Sequence, residues 1–259
     1  MSDENIQPSD LLGKKVFFLY PTASIQNQII TELVQQEYEV YTCRDQMRLM
    51  HVLKKYPDSI VFVNIDDGVP EAEWEKWIST LSTALPLAKV GIFSSSNDEQ
   101  LKDKYVNILH VSCGFMALKV DMSKAIPVIL EILKVMNAKG RRKYLRATTE
   151  RETAATMNMP LRGEIFNGVI KDISVVGFSC AFEYDIGLTK NALLKDIQIR
   201  LQSMLLKVEA IVFGSRMDDN EKIYVMIFTQ RIDPEVRVKI RKYIQQNLQS
   251  KMDVEISTT

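Results

Sequence analysis

Residues 137–146 read Asn-Ala-Lys-Gly-Arg-Arg-Lys-Tyr-Leu-Arg, and the chain changes its period on crossing them. Upstream, short apolar runs alternate with amphipathic stretches. Downstream, strand-like segments follow one another with turn residues between them. Gly140 has the place of a left-handed helix terminator, so the reading divides the chain into a domain over 1–139 and a second over 140–259.

Working back from the boundary, Asp121 is expected to cap a helix to about Ala138, with Ile126, Ile129, Ile132, Leu133 and Met136 inward. Ser59–Ile65 (SIVFVNI) is continuously apolar, as strands covered on both faces are. Lys15–Tyr20, Tyr38–Thr42, Lys89–Phe93 and Asn107–Val111 read as the other strands. Between them fall helices from Ser24 to about Gln36, from Asp45 to about Lys55, and over Glu71–Leu81. Five such units predict a doubly wound α/β domain. Working forward, Leu161–Asp172, Phe178–Glu183, Asp196–Leu201, Leu205–Phe213 and Ile223–Gln230 are strand-like, and Asp218-Asp-Asn-Glu221 marks a hairpin. These predict a β-barrel or sandwich. Asp233-Pro234 opens a last helix whose stripe of Val236, Ile240, Tyr243, Ile244 and Leu248 is expected against an apolar surface such as the barrel mouth.

The composition of the 259 residues, 46% apolar and 25% charged, is that of a globular protein with room for two cores. No apolar run reaches the ~20 residues a spanning helix needs, and the polar, acidic start is unlike a targeting peptide. Cys43, Cys113 and Cys180 have no paired or metal-ligand spacing, which fits a reducing cytoplasm. Residues 1–139 hold 14 Lys/Arg against 18 Asp/Glu, and residues 140–259 hold 19 against 15. An anionic ligand therefore belongs with the second half.

Two motifs there carry chemistry: Arg142-Lys-Tyr-Leu-Arg146, preceded by Arg141, and Asp172-Ile-Ser174-Val-Val-Gly177 at a strand end. Guanidinium forks suit the O6 and N7 acceptors of guanine and also phosphodiester oxygens, while a carboxylate suits guanine N1–H and N2–H. An arginine plane also stacks on a purine. Gly177 permits close backbone geometry beside a ligand. In these motifs residues 140–250 resemble a PilZ domain, the bacterial cyclic di-GMP receptor module with signature RxxxR and [D/N]xSxxG. The resemblance implies a six-stranded barrel with a closing helix. It also implies cyclic di-GMP held by Arg141, Arg142, Arg146, Asp172, Ser174 and Gly177, with the arginines on guanine edges and phosphates and Asp172 and Ser174 on the barrel side.

The first half resembles a degenerate receiver domain. Tyr20-Pro21 stands where receivers carry the acidic pair that holds Mg²⁺, and Asn64 stands at the phosphoacceptor position, with Asp66 and Asp67 two residues late. Ser94 or Ser95 and Lys119 match the receiver Ser/Thr and Lys. An amide accepts no phosphate, so the domain is expected to serve interaction rather than phosphorylation.

His51 and His110 lack ligand-spaced partners, Gly13-Lys-Lys15 lacks the rest of a phosphate loop, and Asp66-Asp-Gly68 reads as a turn. With no nucleophile–base set and no metal cluster, the expectation is a non-enzymatic cytoplasmic receptor without cofactor or metal. Cyclic di-GMP would change its interdomain arrangement or its binding of a downstream protein partner, with no membrane insertion. The alternative is a nucleic-acid-binding regulator using the same arginine loop and basic residues of the last helix.

Overall fold

The computed structural model describes residues 13–118, 122–149 and 155–258. Two compact units result, Tyr144–Asn247 and the remainder, Met1–Lys143 with Leu248–Thr259.

The α/β unit has five parallel strands: β1 (Val16–Leu19), β2 (Val40–Cys43), β3 (Ile60–Asn64), β4 (Lys89–Ser94) and β5 (Phe115–Ala117), in the order β2-β1-β3-β4-β5. This is the order of flavodoxin- and receiver-type sheets. Because side chains alternate along a strand, the sheet feeds two cores. Phe17, Leu19, Val61 and Val63 pack with α2 (Gln46–Lys55) and α3 (Glu71–Ala84). Val16, Phe18, Ile60 and Phe62 pack with α1 (Thr31–Gln35), the π-helical turns Ile25–Ile30 before it, and α5 (Met122–Val135). α4 (Glu99–Asp103) runs on into a π-helical segment, Lys104–Ile108.

That segment overlaps the expected fifth strand, Asn107–Val111. A short apolar run has no period of its own, and here Tyr105 is buried as a helical residue, while β5 forms later. At the first helix, Thr22 rather than Ser24 supplies the side-chain cap, accepting from the Ile25 N–H at 3.3 Å. Asp45 caps α2, accepting from the Met47 and Arg48 N–H groups at 3.0 and 2.9 Å. After α5 the left-handed residue is Asn137, φ 50°, not Gly140. Asp121, the expected cap of α5, and Lys119 lie outside the described residues.

The second unit has β6 (Ala147–Thr148), β7 (Ala155–Leu161), β8 (Glu164–Ser174), β9 (Gly177–Phe182), β10 (Leu193–Leu201), β11 (Met204–Asp218) and β12 (Glu221–Phe228). Antiparallel pairing runs β8-β7-β10-β11-β12-β9 and returns to β8, closing a six-stranded barrel, with β6 added on β8. The hairpin between β11 and β12 turns on Asp219 and Asn220, both at positive φ (42° and 67°), the backbone that two-residue turns demand. β7 had no counterpart in the sequence reading. Its alanine, asparagine and proline are depleted in strands, yet Ala155, Met157 and Met159 alternate inward.

The last helix, α6 (Pro234–Ser257), opens as expected, with the Glu235 N–H donating to the Asp233 carboxylate at 2.8 Å. Ile240, Tyr243 and Ile244 are buried. From Leu248 onward its residues belong to the α/β unit, where the sequence reading had placed them with the barrel. Leu248, Met252 and Ile256, four residues apart, join the core of Tyr41, Cys43, Val52 and Leu53. β2 is the sheet edge, and the Gln249 amide covers it: the Thr42 N–H donates to Oε1 and the Thr42 carbonyl accepts from Nε2, both at 2.9 Å. Glu255 receives the Lys55 ammonium at 2.8 Å and the Tyr56 hydroxyl at 3.0 Å. Burial acts to raise the Glu255 carboxyl, but these partners outweigh it and hold it below the usual range. Among the described residues no helix is long and apolar enough to cross a membrane.

Candidate functional site

β8 bulges opposite β9. Ile170 pairs with Cys180, Asp172 with Ser179 and Ile173 with Phe178, leaving Lys171 as the extra residue. In an unbroken strand Asp172, two residues on, would share the inward face of Ile170. The added residue reverses the alternation, so that Ile170 and Ile173, both 0% exposed, point into the barrel and Asp172 stands on its outer wall. β6 continues the edge of β8 where β7 ends, pairing Ala147 with Ile173 and Thr148 with Asp172. Thr149 anchors this short strand at the bulge, its N–H donating to the Lys171 carbonyl at 2.8 Å and its hydroxyl to the Ile170 carbonyl.

The arginine arm is thereby tied to the strand that carries the aspartate. Arg146 Nη1 lies 3.5 Å from Asp172 Oδ1, in a pair whose side chains are 49% and 20% exposed. The other carboxylate oxygen, Oδ2, accepts from the Ser179 hydroxyl. Arg141 and Arg142 are exposed and fall before the barrel unit in the chain.

Two motif residues have partners within the fold itself. Ser174 is 4% exposed; its hydroxyl donates to the Gly177 carbonyl at 3.1 Å and accepts from the Val176 N–H at 3.4 Å. It closes the β8–β9 turn instead of presenting a free hydroxyl. A Cβ on Gly177 would meet the Met226 carbonyl at 2.2 Å, so this glycine is required by the close approach of β12, its partner in the sheet. Both residues shape the rim on which Asp172 stands. Ser179 was missed from sequence. Its one signal was a serine inside the apolar run Gly177–Phe182, all six residues of which are buried.

Cys180 beside it is 0% exposed, and burial pushes its thiol well up, so it is unreactive at neutral pH. Across the wall, the Asp185 carboxylate takes the Lys222 ammonium at 2.8 Å, the Tyr224 hydroxyl and the Gly187 N–H at 3.0 Å, and these hold it well below the usual carboxylate range. This cluster pins the loop between β9 and β10.

At the strand ends of the α/β unit, where such sheets bind ligands, the polar groups are hydrogen-bonded to one another. Asn64 donates to the Tyr20 carbonyl at 2.9 Å. Asp66 takes the Ser94 hydroxyl at 2.7 Å and the Ser95 N–H. Among the described residues no group of His, Cys, Asp and Glu is arranged to hold a metal ion.

Fold and motifs together define a chain with a receiver-like α/β unit and a PilZ-like barrel, the two resemblances drawn from the sequence. No protein-family model matches the chain, and no curated protein matches it in sequence. Solved structures do. The PilZ domain of YcgR from Escherichia coli with c-di-GMP matches 46% of this chain and 99% of its own, at 14% identity and a TM-score of 0.38. The K. pneumonia MrkH–c-di-GMP complex matches 47% of this chain and 56% of its own, at 21% identity and a TM-score of 0.34. The signal receiver domain of an HD domain-containing protein from Pseudomonas fluorescens Pf-5 matches 49% of this chain and 99% of its own, at 12% identity and a TM-score of 0.41. Against MrkH the chain spans little more than half of that protein's length.

Proposed function

We propose that this chain is a non-catalytic receptor for cyclic di-GMP, reading the ligand through Arg142, Arg146 and Asp172, with Arg141 alongside and Ser174 and Gly177 shaping the rim. The observation that carries the reading is the half-engaged carboxylate of Asp172. One oxygen is held by Ser179 and the other is met by Arg146 at 3.5 Å, on an outer wall reached by a cationic arm. An ion pair this exposed is worth about 0–1 kcal/mol, so a ligand displaces it at little cost. Guanine N1–H and N2–H then satisfy the carboxylate, and the freed guanidinium turns to a Hoogsteen edge or a phosphate. Arg142 is one helical turn's worth of sequence upstream and supplies the second fork. Neutralising this arm orders it, and we take that ordering to change the interdomain arrangement or the binding of a protein partner.

Calorimetry with cyclic di-GMP on the intact protein tests the reading. Binding heat is expected from the wild type and a strong loss in Arg142→Ala; a wild type that gives neither heat nor thermal protection overturns it. Unchanged small-angle scattering on saturation would overturn the switch while leaving binding intact. The nucleic-acid alternative predicts steeply salt-dependent DNA or RNA affinity that survives Asp172→Ala.

A further inference from the structure

The geometry points to Ser179 as the residue that aims Asp172 and so sets how strictly the site demands guanine; the inference rests on the cyclic di-GMP reading above. Ser179 and Asp172 are direct partners across β8 and β9, so their side chains leave the same face of the wall. Ser179 is 2% exposed, and its hydroxyl donates to Asp172 Oδ2. A hydroxyl has one proton, and here it is committed to the carboxylate. That bond fixes the plane of the carboxyl group and leaves Oδ1, with the remaining lone pairs of Oδ2, toward Arg146 and solvent.

A carboxylate with a fixed plane accepts two coplanar donors, as guanine N1–H and N2–H are. A freely turning one accepts them singly and discriminates less. Ser179 is thus a positioning residue that acts through Asp172. The bulge at Lys171 brings the aspartate to the outer face, and the serine fixes its orientation there.

Isothermal titration with cyclic di-GMP and with its hypoxanthine analogue, cyclic di-IMP, which lacks the N2 donor, separates this role from a structural one. In Ser179→Ala, cyclic di-GMP affinity is expected to fall roughly tenfold and cyclic di-IMP affinity much less, so that the preference for guanine shrinks. Ser179→Thr, which keeps the hydroxyl, is expected to restore the preference. In an Asp172→Ala background Ser179→Ala is expected to add nothing. Equal losses for both ligands, or a full further loss in the Asp172→Ala background, would overturn the inference with the receptor reading intact. A wild type that binds neither nucleotide would remove the receptor reading itself.

Discussion

Asp66 in the α/β unit and Asp172 in the barrel are both aspartates at strand ends, and their surroundings are opposite. Asp66, although exposed, has one oxygen on the Ser94 hydroxyl and the other on the Ser95 N–H, beside an Asn64 that is itself spent on the Tyr20 carbonyl. Asp172 has one fixed bond, to Ser179, and one long contact to a half-exposed arginine on a tethered arm. An acidic residue at the end of a strand is therefore no site in itself. What sets Asp172 apart is a half-exposed guanidinium at 3.5 Å as its second partner. The α/β unit goes further in the closed direction, since even its edge strand is covered, by Gln249.

The largest test of this contrast removes residues 248–259. Exposing the core beneath Met252 and Ile256 should cost the α/β unit about 3–6 kcal/mol, while the barrel keeps its closed ladder. The three buried cysteines report each unit separately, because Cys43 and Cys113 lie in the first and Cys180 in the second. Thiol labelling along a urea gradient, read by mass spectrometry, should show Cys43 and Cys113 reacting at markedly lower urea than in the full chain. Unchanged protection would mean that the segment is not part of that fold.

Next, Asp172→Ala and Asp66→Ala set the two aspartates directly against each other. The first should weaken cyclic di-GMP binding by about 2–3 kcal/mol and cost the barrel about 1 kcal/mol, as the buried Ser179 hydroxyl loses its acceptor. The second should destabilise the α/β unit and leave the binding heat unaltered. A reversal of these outcomes would break the comparison. A smaller effect is expected from Gln249→Ala, about 1 kcal/mol of α/β stability, read from the same labelling midpoints.

The smallest concerns acid. Lys222, Tyr224 and the Gly187 N–H hold the Asp185 carboxyl below its ordinary value of 3.8. A depressed folded-state value adds stability above the unfolded value and loses it as pH falls through the folded one. The denaturation midpoints of wild type and Asp185→Asn should therefore differ near neutrality and begin to converge only as pH falls below about 4. Added salt should narrow the gap, because the group is exposed.

Much of this was legible in the sequence. The continuous run Ser59–Ile65 could only be an interior strand, and Arg142, Arg146 and Asp172 stood out by type and spacing, with Arg146 and Asp172 brought together in the fold. What stayed hidden depended on pairing between distant segments. The bulge at Lys171 exists only in the register between β8 and β9, and Ser179 gains its meaning only from standing opposite Asp172. Gly177 was marked as special, but the carbonyl that requires it, from Met226, is some fifty residues away. Local runs misled where length gave no period, as at Asn107–Val111. The stripe continuing to Met252 and Ile256 was visible as a helix face, yet nothing local said which core it would enter.

Because residues 248–258 complete the edge of a sheet begun at residue 16, the barrel is in effect an insertion within the α/β unit. On the ribosome the order of synthesis is then the reverse of the order of completion. The α/β strands that emerge first wait with β2 uncovered until residues 248–258 are made, by which time the barrel strands have all been synthesised. A chain cut short before residue 248 would keep its barrel and present a bare strand edge to its neighbours.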